Sequence, residues 1–269
     1  MDIGSGKPEI EERNKIPHHG IDIANPDDNF TAGDFVRYAE NVCKDIQQRD
    51  AKPLFVGGTG FYMDAFFKGL SGIPDIEKSV KTVLQAEASE GLESLYDELS
   101  AVDPVFAGKI HPNDRQRIIR GLEVYRGTRR PITWYYQGIH GHDSDETLYI
   151  GLYDEREHLY SRINQRVDSM MKAGFVEEVQ QLRGMGYGSE LKSMNSIGYA
   201  ELNKQLDGLI SIEEAVDLVK TGTRHYAKRQ MTWFRKNKKM IWLKPSEKDV
   251  IVKCIEDWLR KISTNKKIG

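Results

Sequence analysis

The chain has 269 residues, of which 39% are hydrophobic and 30% charged, with a net charge of −2. That length can bury a full core in one large domain or two smaller ones, and the near-neutral balance excludes a molecule that is basic over its whole surface. The two cysteines, Cys43 and Cys254, are far apart and form no metal-type spacing, as suits a reducing compartment. No run approaches the roughly 18 apolar residues of a membrane span, and Met1-Asp2-Ile3 does not open a signal peptide, so a soluble, cytoplasmic protein is expected.

Gly4-Ser5-Gly6-Lys7 has the look of the end of a phosphate-binding P-loop. That loop needs a glycine five residues before the Gly-Lys pair, Ser or Thr after the lysine, and a strand in front. Met1 stands at the glycine position and Pro8 follows the lysine, so the reading is rejected. In Pro17-His18-His19-Gly20-Ile21-Asp22-Ile23, the isoleucines alternate around Asp22 as in a short strand. Adjacent histidines on a strand point to opposite faces, which disfavours a shared metal. Thr31 is placed to cap a helix with Asp34 three positions on, and Phe35, Tyr38, Val42 and Ile46 form its apolar stripe.

The stretch 52–69, KPLFVGGTGFYMDAFFKG, organises the first part of the chain. Pro53-Leu54-Phe55-Val56 reads as a buried strand of a parallel sheet, stopped by Gly57 and Gly58. The glycines permit a sharp turn and a close approach by a ligand, and a helix follows with free N–H groups at its start. Strand, helix, strand, helix predicts a parallel α/β sheet. A strand-turn-helix that binds nothing fits the spacing equally well.

From Gly72 the texture changes, and between about Ser79 and Gly141 only helical patterns are found. Val83, Leu84 and Ala88 begin one segment; Leu92, Leu95, Tyr96 and Leu99 continue another. Asp103-Pro104 starts a third, with Val105, Phe106 and Ile110. His111-Pro112-Asn113-Asp114 is a capped start for a fourth, running over 115–126. A helical insertion is therefore expected at 72–145, between α/β segments at 1–71 and 146–269, with the polar GHDSDE stretch from Gly141 closing it. Within the fourth helix Arg117 and Arg120 share a face, while Ile118 and Leu122 point to the core. With Gln116, the arginines have the chemistry to clamp phosphates or read a base edge; a solvated face paired to nearby acids is the plainer reading. Leu148 to Leu152 returns to strand character, and a long helix over 155–173 carries Arg162 and Arg166 on one face.

The strongest charge signal is KTGTRHYAKRQMTWFRKNKKMIWLK, Lys220 to Lys244, with nine Lys or Arg and no acid. His225, Tyr226, Trp233, Phe234 and Trp242 are interleaved. Cations neutralise phosphates and aromatic faces receive unstacked bases, so the stretch has the composition of a nucleic-acid surface, RNA more than DNA. A basic helix end with buried aromatics is the alternative.

Several of these pieces occur in one order: Met1-Asp2-Ile3-Gly4 with Lys7-Pro8, Pro17-His18 with Asp22-Ile23, Val56-Gly57-Gly58-Thr59, His111-Pro112-Asn113-Asp114 with Gln116-Arg117 and Arg120, Ile197-Gly198-Tyr199, and Lys228-Arg229-Gln230-Met231-Thr232-Trp233-Phe234-Arg235. From Met1 to about Leu243 the chain closely resembles the bacterial tRNA dimethylallyltransferases (isopentenylpyrophosphate transferases). The resemblance implies a P-loop-kinase-like, nucleotide-binding α/β core with an all-helical insertion. It implies transfer of a dimethylallyl group from dimethylallyl diphosphate to N6 of the adenosine 3′ of the anticodon, with Mg²⁺ assisting, by a monomeric enzyme acting on the tRNA anticodon arm.

By the same resemblance Arg166 stands at the diphosphate and Thr59 lines the channel beside the target adenine. Lys81, Gln116, Arg117, Ile118, Ile119, Arg120, Asn195, Gly198, Tyr199, Lys228, Arg229, Gln230, Thr232, Trp233 and Arg235 stand at tRNA contacts. The family pattern carries a strand, a P-loop and an Asp-Ser general-base motif upstream of Met-Asp-Ile-Gly, the segment with which this sequence opens. A chain without them is expected to turn over slowly, or to act as a non-catalytic tRNA-binding remnant. The zinc finger of eukaryotic members has no counterpart before the closing ISTNKKIG. An adenylate isopentenyltransferase is disfavoured by the helical insertion and the KRQMTWFR stretch, which a free nucleotide does not need.

Overall fold

A computed structural model describes residues 1–139, 141–144 and 146–265. Asp145 of the GHDSDE stretch and residues 266–269 lie outside the described residues. In chain order the elements are α1 (Ile10–Lys15), α2 (Ala32–Gln48), α3 (Gly60–Phe67), α4 (Lys78–Glu90), α5 (Glu93–Val102), α6 (Pro104–Ala107) and α7 (Arg115–Thr128). There follow a 3-10 turn at Ile132–Tyr136, β1 (Ile150–Leu152), α8 (Arg156–Lys172), α9 (Phe175–Gly184) and a second 3-10 turn at Ser193–Asn195. The chain continues with α10 (Tyr199–Leu206), α11 (Ile212–Phe234), β2 (Ile241–Leu243) and α12 (Lys248–Asn265). The segments Met1–Met63 and Ser144–Gly269 form one compact unit, and Asp64–Asp143 forms a second. The architecture is α/β with a helical insertion.

The sheet of the first unit is small: β1 pairs with β2 in parallel, Gly151 opposite Trp242. The two strands expected earlier are not formed. Leu54 and Val56 are 83% and 85% exposed, because a buried parallel strand needs neighbours on its edges and faces and the described residues supply none here. At Ile21–Ile23 the alternation is broken by Asp22, whose φ of 58° turns the chain out of the extended region. Helix α2 forms as its cap predicts: the Asp34 amide donates to Thr31 Oγ1 at 3.2 Å and the Thr31 amide donates to the Asp34 carboxylate at 2.8 Å. The core of this unit is Phe175, Val179, Leu182, Met194, Tyr199, Leu202 and Ala215, contributed by α9, α10, α11 and the turn between.

The second unit is a small helical bundle. Leu84, Leu99, Ile118 and Leu122 are fully buried, each worth about 1.5–3 kcal/mol over leaving it exposed. Val83 and Val105, expected to begin apolar faces, are instead more than half exposed; each lies one position off the residue that its helix turns inward. Asp103 caps α6 by accepting from the Phe106 amide at 3.0 Å, with Pro104 in the first helical position. Its other oxygen receives the Thr133 amide at 3.0 Å and so fixes the 3-10 turn. Asp114 caps α7, and Arg115 donates to the last carbonyls of α4, Ala88 at 2.8 Å and Gln85 at 2.9 Å. Arg126 ties α7 to Glu98 on α5 and Glu87 on α4, each at 3.0 Å. No helix among the described residues is long and apolar enough to cross a membrane.

Candidate functional site

The residues singled out from the sequence fall into three groups, two in the first unit and one in the second. In the first unit, residues 1–7 form a tight turn: the Gly6 amide donates to the Ile3 carbonyl at 3.0 Å, and Ser5 Oγ to the Met1 carbonyl at 2.8 Å. Glu178 on α9 holds this turn. Its carboxylate accepts the amides of Asp2 at 2.6 Å, Ile3 at 2.8 Å and Gly4 at 3.3 Å, together with the Tyr199 hydroxyl at 2.5 Å. Burial alone would raise its pKa, but the Tyr199 hydroxyl and the three amides hold the carboxyl below the usual range. Burial and the adjacent carboxylate both push the Tyr199 phenol up, so it stays a donor. Gly4 packs so tightly on Phe175 and Tyr199 that a Cβ would come within 2.3 Å of the Phe175 ring.

At the far side of the turn Gly6 has φ of +66°, and a Cβ there would lie 2.0 Å from Arg166 Nη2. The turn is therefore glycine for two independent reasons, handedness and the guanidinium that rests on it. Arg166 is exposed and has no acidic partner among the described residues, whereas Arg162, one helical turn earlier, lies 3.7 Å from Asp154. Lys7 is not a free cation: it pairs with both Asp2 and Asp22, and Asp22 also takes Arg13 at 3.0 Å. Burial works against the Lys7 charge, but the two carboxylates outweigh it and raise its pKa; Lys7 in turn lowers both of theirs.

The second group joins the glycine loop to the basic helix. Gln230 Nε2 on α11 donates to the Gly58 carbonyl at 3.0 Å. Trp233, one turn on, lies against Gly60, where a Cβ would meet its ring at 2.3 Å. Thr59 sits exposed between these two anchors, at the start of α3. Lys228, Arg229, Thr232 and Arg235 are also exposed. The aromatics of this stretch are not simply core: Tyr226 is 37% and Trp233 38% exposed, with Arg229 5.7 Å from the Tyr226 ring centre and Lys236 5.8 Å from that of Trp233.

The third group belongs to the helical unit. Lys81, Gln116, Arg117 and Arg120 are exposed. Arg117 lies 3.4 Å from Asp114 and Arg120 2.9 Å from Glu123, surface pairs worth little and easily exchanged for a phosphate.

Four residues of the expected tRNA-contact set have their side chains or backbone inside. Ile118, Ile119 and Tyr199 are at most 7% exposed, and Gly198 is buried with φ of +94° where α10 begins. The isoleucines form the inner side of the helix that presents the arginines, and Tyr199 supports the Glu178 carboxylate, so these side chains position neighbours rather than reach a ligand. Asn195 is exposed, its amide donating to the Leu191 carbonyl at 3.0 Å, and Ser193 Oγ fixes the same turn to the Pro26 carbonyl at 2.6 Å. Glu178 and Phe175 were not singled out from the sequence. No local pattern marks a carboxylate whose partners lie some 175 positions away.

Among the described residues no group of three or more His, Cys, Asp or Glu is placed to hold a metal by itself, and Asp2 and Asp22 are paired with Lys7; a Mg²⁺ that arrives with a diphosphate needs only one or two carboxylates from the protein. His18 Nδ1 contacts the Ile16 carbonyl at 2.7 Å.

Residues 1–237 match the family model described as IPP transferase. A tRNA dimethylallyltransferase of Geobacter metallireducens is 45% identical over 258 residues, 95% of this chain and 84% of the relative. That of Syntrophobacter fumaroxidans is 43% identical over 90% of this chain and 71% of the relative. Among solved structures, the full-length tRNA isopentenylpyrophosphate transferase of Bacillus halodurans superposes with a TM-score of 0.69 at 35% identity, over 99% of this chain and 86% of that one. A eukaryotic dimethylallyltransferase acting on tRNA gives a TM-score of 0.72 at 28% identity, over 87% and 60%. With a family model spanning most of its length and relatives this similar, the chain belongs to the IPP transferase family.

Proposed function

We propose that the protein is a cytoplasmic tRNA dimethylallyltransferase, moving a dimethylallyl group from its diphosphate to N6 of the adenosine 3′ of the anticodon. The observation that carries this reading is the docking of α11 on the glycine loop. Gln230 and Trp233 hold Gly58 and Gly60, which sets Thr59 beside the cationic, aromatic segment that suits an RNA strand. The names of the relatives point the same way. In the reaction the N6–C1 bond forms as the C1–O bond to diphosphate breaks, and the amine gives up one proton to solvent water or to the departing diphosphate. Negative charge gathers on the departing diphosphate. Arg166, exposed and without an acidic partner among the described residues, supplies a fixed cation for it, and the Glu178-anchored turn keeps that guanidinium in place. Thr59 offers a hydroxyl at the adenine. The base must leave its stack to reach the electrophile, and Lys228, Arg229 and Arg235 hold the backbone on either side.

Single-turnover transfer to an unmodified tRNA, read as the modified nucleoside by mass spectrometry, tests this. Arg166→Ala should slow transfer by about 10²-fold or more while tRNA affinity stays within about twofold. Equal rates for the two proteins would sink the assignment of Arg166.

A further inference from the structure

Helix α8 carries Arg166, and α11 carries Gln230 and Trp233, which hold the glycine loop. The two helices pack on one another within the first unit. Of the 17 residues of α8 only Val167 is buried, and α11 buries only Ala215 and Val219. So little apolar contact leaves the rotation of α8 about its own axis weakly specified, and polar contacts across the pair have to set it. One of them does so with a fork. Arg224 on α11 donates from Nη1 to Asn164 Oδ1 of α8 at 2.7 Å and from Nη2 to Thr221 Oγ1 at 2.8 Å. Its guanidinium also lies 5.9 Å from the centre of the Tyr160 ring. Tyr160 and Asn164 are four positions apart and share a face, so one planar cation grips α8 at two levels. Lys220 and Asp168 form a second bridge between the helices, one turn further along α8, at 2.6 Å.

Arg224 is half-buried and has no acidic partner among the described residues. A guanidinium held by an amide and a hydroxyl is a poor stabiliser, because neutral acceptors offset its desolvation less than a carboxylate does. What the fork supplies is geometry: its three contacts fix its plane, and the plane fixes Asn164. Asn164 and Arg166 are two positions apart, about 200° around the helix axis. Holding Asn164 against α11 therefore turns Arg166 to the opposite side of α8, where its guanidinium rests on Gly6.

We propose that Arg224 is a positioning residue for the transfer: through Asn164 it sets the rotation of α8 and so aims the Arg166 guanidinium, tying it to the helix that holds the glycine loop. Arg224 itself touches neither the diphosphate nor the RNA. This rests on the reading of Arg166 as the cation at the departing diphosphate.

The test is a double-mutant cycle on single-turnover transfer from dimethylallyl diphosphate to unmodified tRNA. Arg224→Gln should slow transfer by about 10²-fold, with tRNA affinity and its salt slope unchanged. Arg224→Lys keeps the charge without the fork and should remain slow. Asn164→Ala should slow transfer in the same way, whereas Asn164→Asp keeps an acceptor for Arg224 and should restore the rate. In an Arg166→Ala background, Arg224→Gln should cost no more than about twofold further, because no guanidinium is left to aim. Asp168→Asn breaks the other bridge between the same helices and should leave the rate within about twofold; slowing as deep as that of Arg224→Gln would reduce Arg224 to one more docking contact and overturn the proposal. Thermal unfolding checks each variant, and Asn164→Ala carries the cycle if Arg224→Gln fails to fold. Should Arg166→Ala be slow while Arg224→Gln and Asn164→Ala keep the wild-type rate, or should their losses multiply fully with that of Arg166→Ala, the positioning role is refuted and the reading of Arg166 stands. Should Arg166→Ala keep the wild-type rate, that reading falls and the positioning role falls with it.

Discussion

Glu178 offers the sharpest test of how this molecule is held together. One carboxylate receives three backbone amides and a phenol, and the segment it anchors carries Gly6, on which Arg166 rests. A hydrogen bond to a charged group contributes about 1.5–3 kcal/mol, and truncation also strands its donors. The four bonds share one acceptor and the Asp2 amide is near solvent, so they do not add; roughly 3–4 kcal/mol is the expected loss for Glu178→Ala. For a protein of this size that lowers the melting temperature by roughly 6–16 °C, readable by circular dichroism. Glu178→Gln keeps the shape and loses the charge, and should fall between. The pH dependence has a definite sign. The folded-state pKa lies below the ordinary value of 4.5, so the unfolded chain binds the proton first. The contribution is complete above about pH 4.5 and is lost as pH falls through the depressed folded value. Glu178→Gln should therefore unfold with a flatter acid limb than the wild type. A Glu178→Ala protein that melts within about 2 °C of the wild type would refute the reasoning.

Gly6→Ala should cost only about 1–2 kcal/mol for its left-handed φ, because the atom its Cβ meets is the movable tip of Arg166. It should nevertheless slow dimethylallyl transfer by about 10²-fold through the displaced guanidinium; transfer at the wild-type rate would separate the turn from the chemistry. Asp103→Ala removes a helix cap and the anchor of the Ile132–Tyr136 turn at a position 2% exposed. It should destabilise the protein by about 3 kcal/mol, and a shift in melting temperature under about 2 °C would contradict that. Arg126→Met keeps the apolar stem but drops the bonds to Glu87 and Glu98. It should lose about 1–2 kcal/mol, an effect that shrinks in high salt if the half-exposed ion pairs matter.

Local signals were legible in the sequence, and non-local ones were not. Thr31 with Asp34, Asp103 with Pro104, and Asp114 announce helix starts because a cap involves residues three apart, and all three caps are formed. Leu54 to Val56 has the composition of a buried strand, yet burial depends on partner strands that no local pattern specifies, and Leu54 and Val56 stand exposed. The glycine loop and the basic helix were each visible, but their contact through Gln230 and Trp233 spans some 172 positions. Motif membership also blurred role. Ile118, Ile119 and Tyr199 lie within recognisable motifs but work from inside, while Glu178 belongs to no motif singled out and anchors one.

The central claim concerns which atom receives the dimethylallyl group. The direct measurement takes the protein as its own genome encodes it, dimethylallyl diphosphate and unmodified tRNA, digests the product and sequences the fragments by mass spectrometry. The expected result is N6-dimethylallyladenosine at the position 3′ of the anticodon and at no other adenosine, with free AMP left unmodified. Binding of the anticodon arm with no modified adenosine formed, or modification of free nucleotide in preference to tRNA, would contradict it.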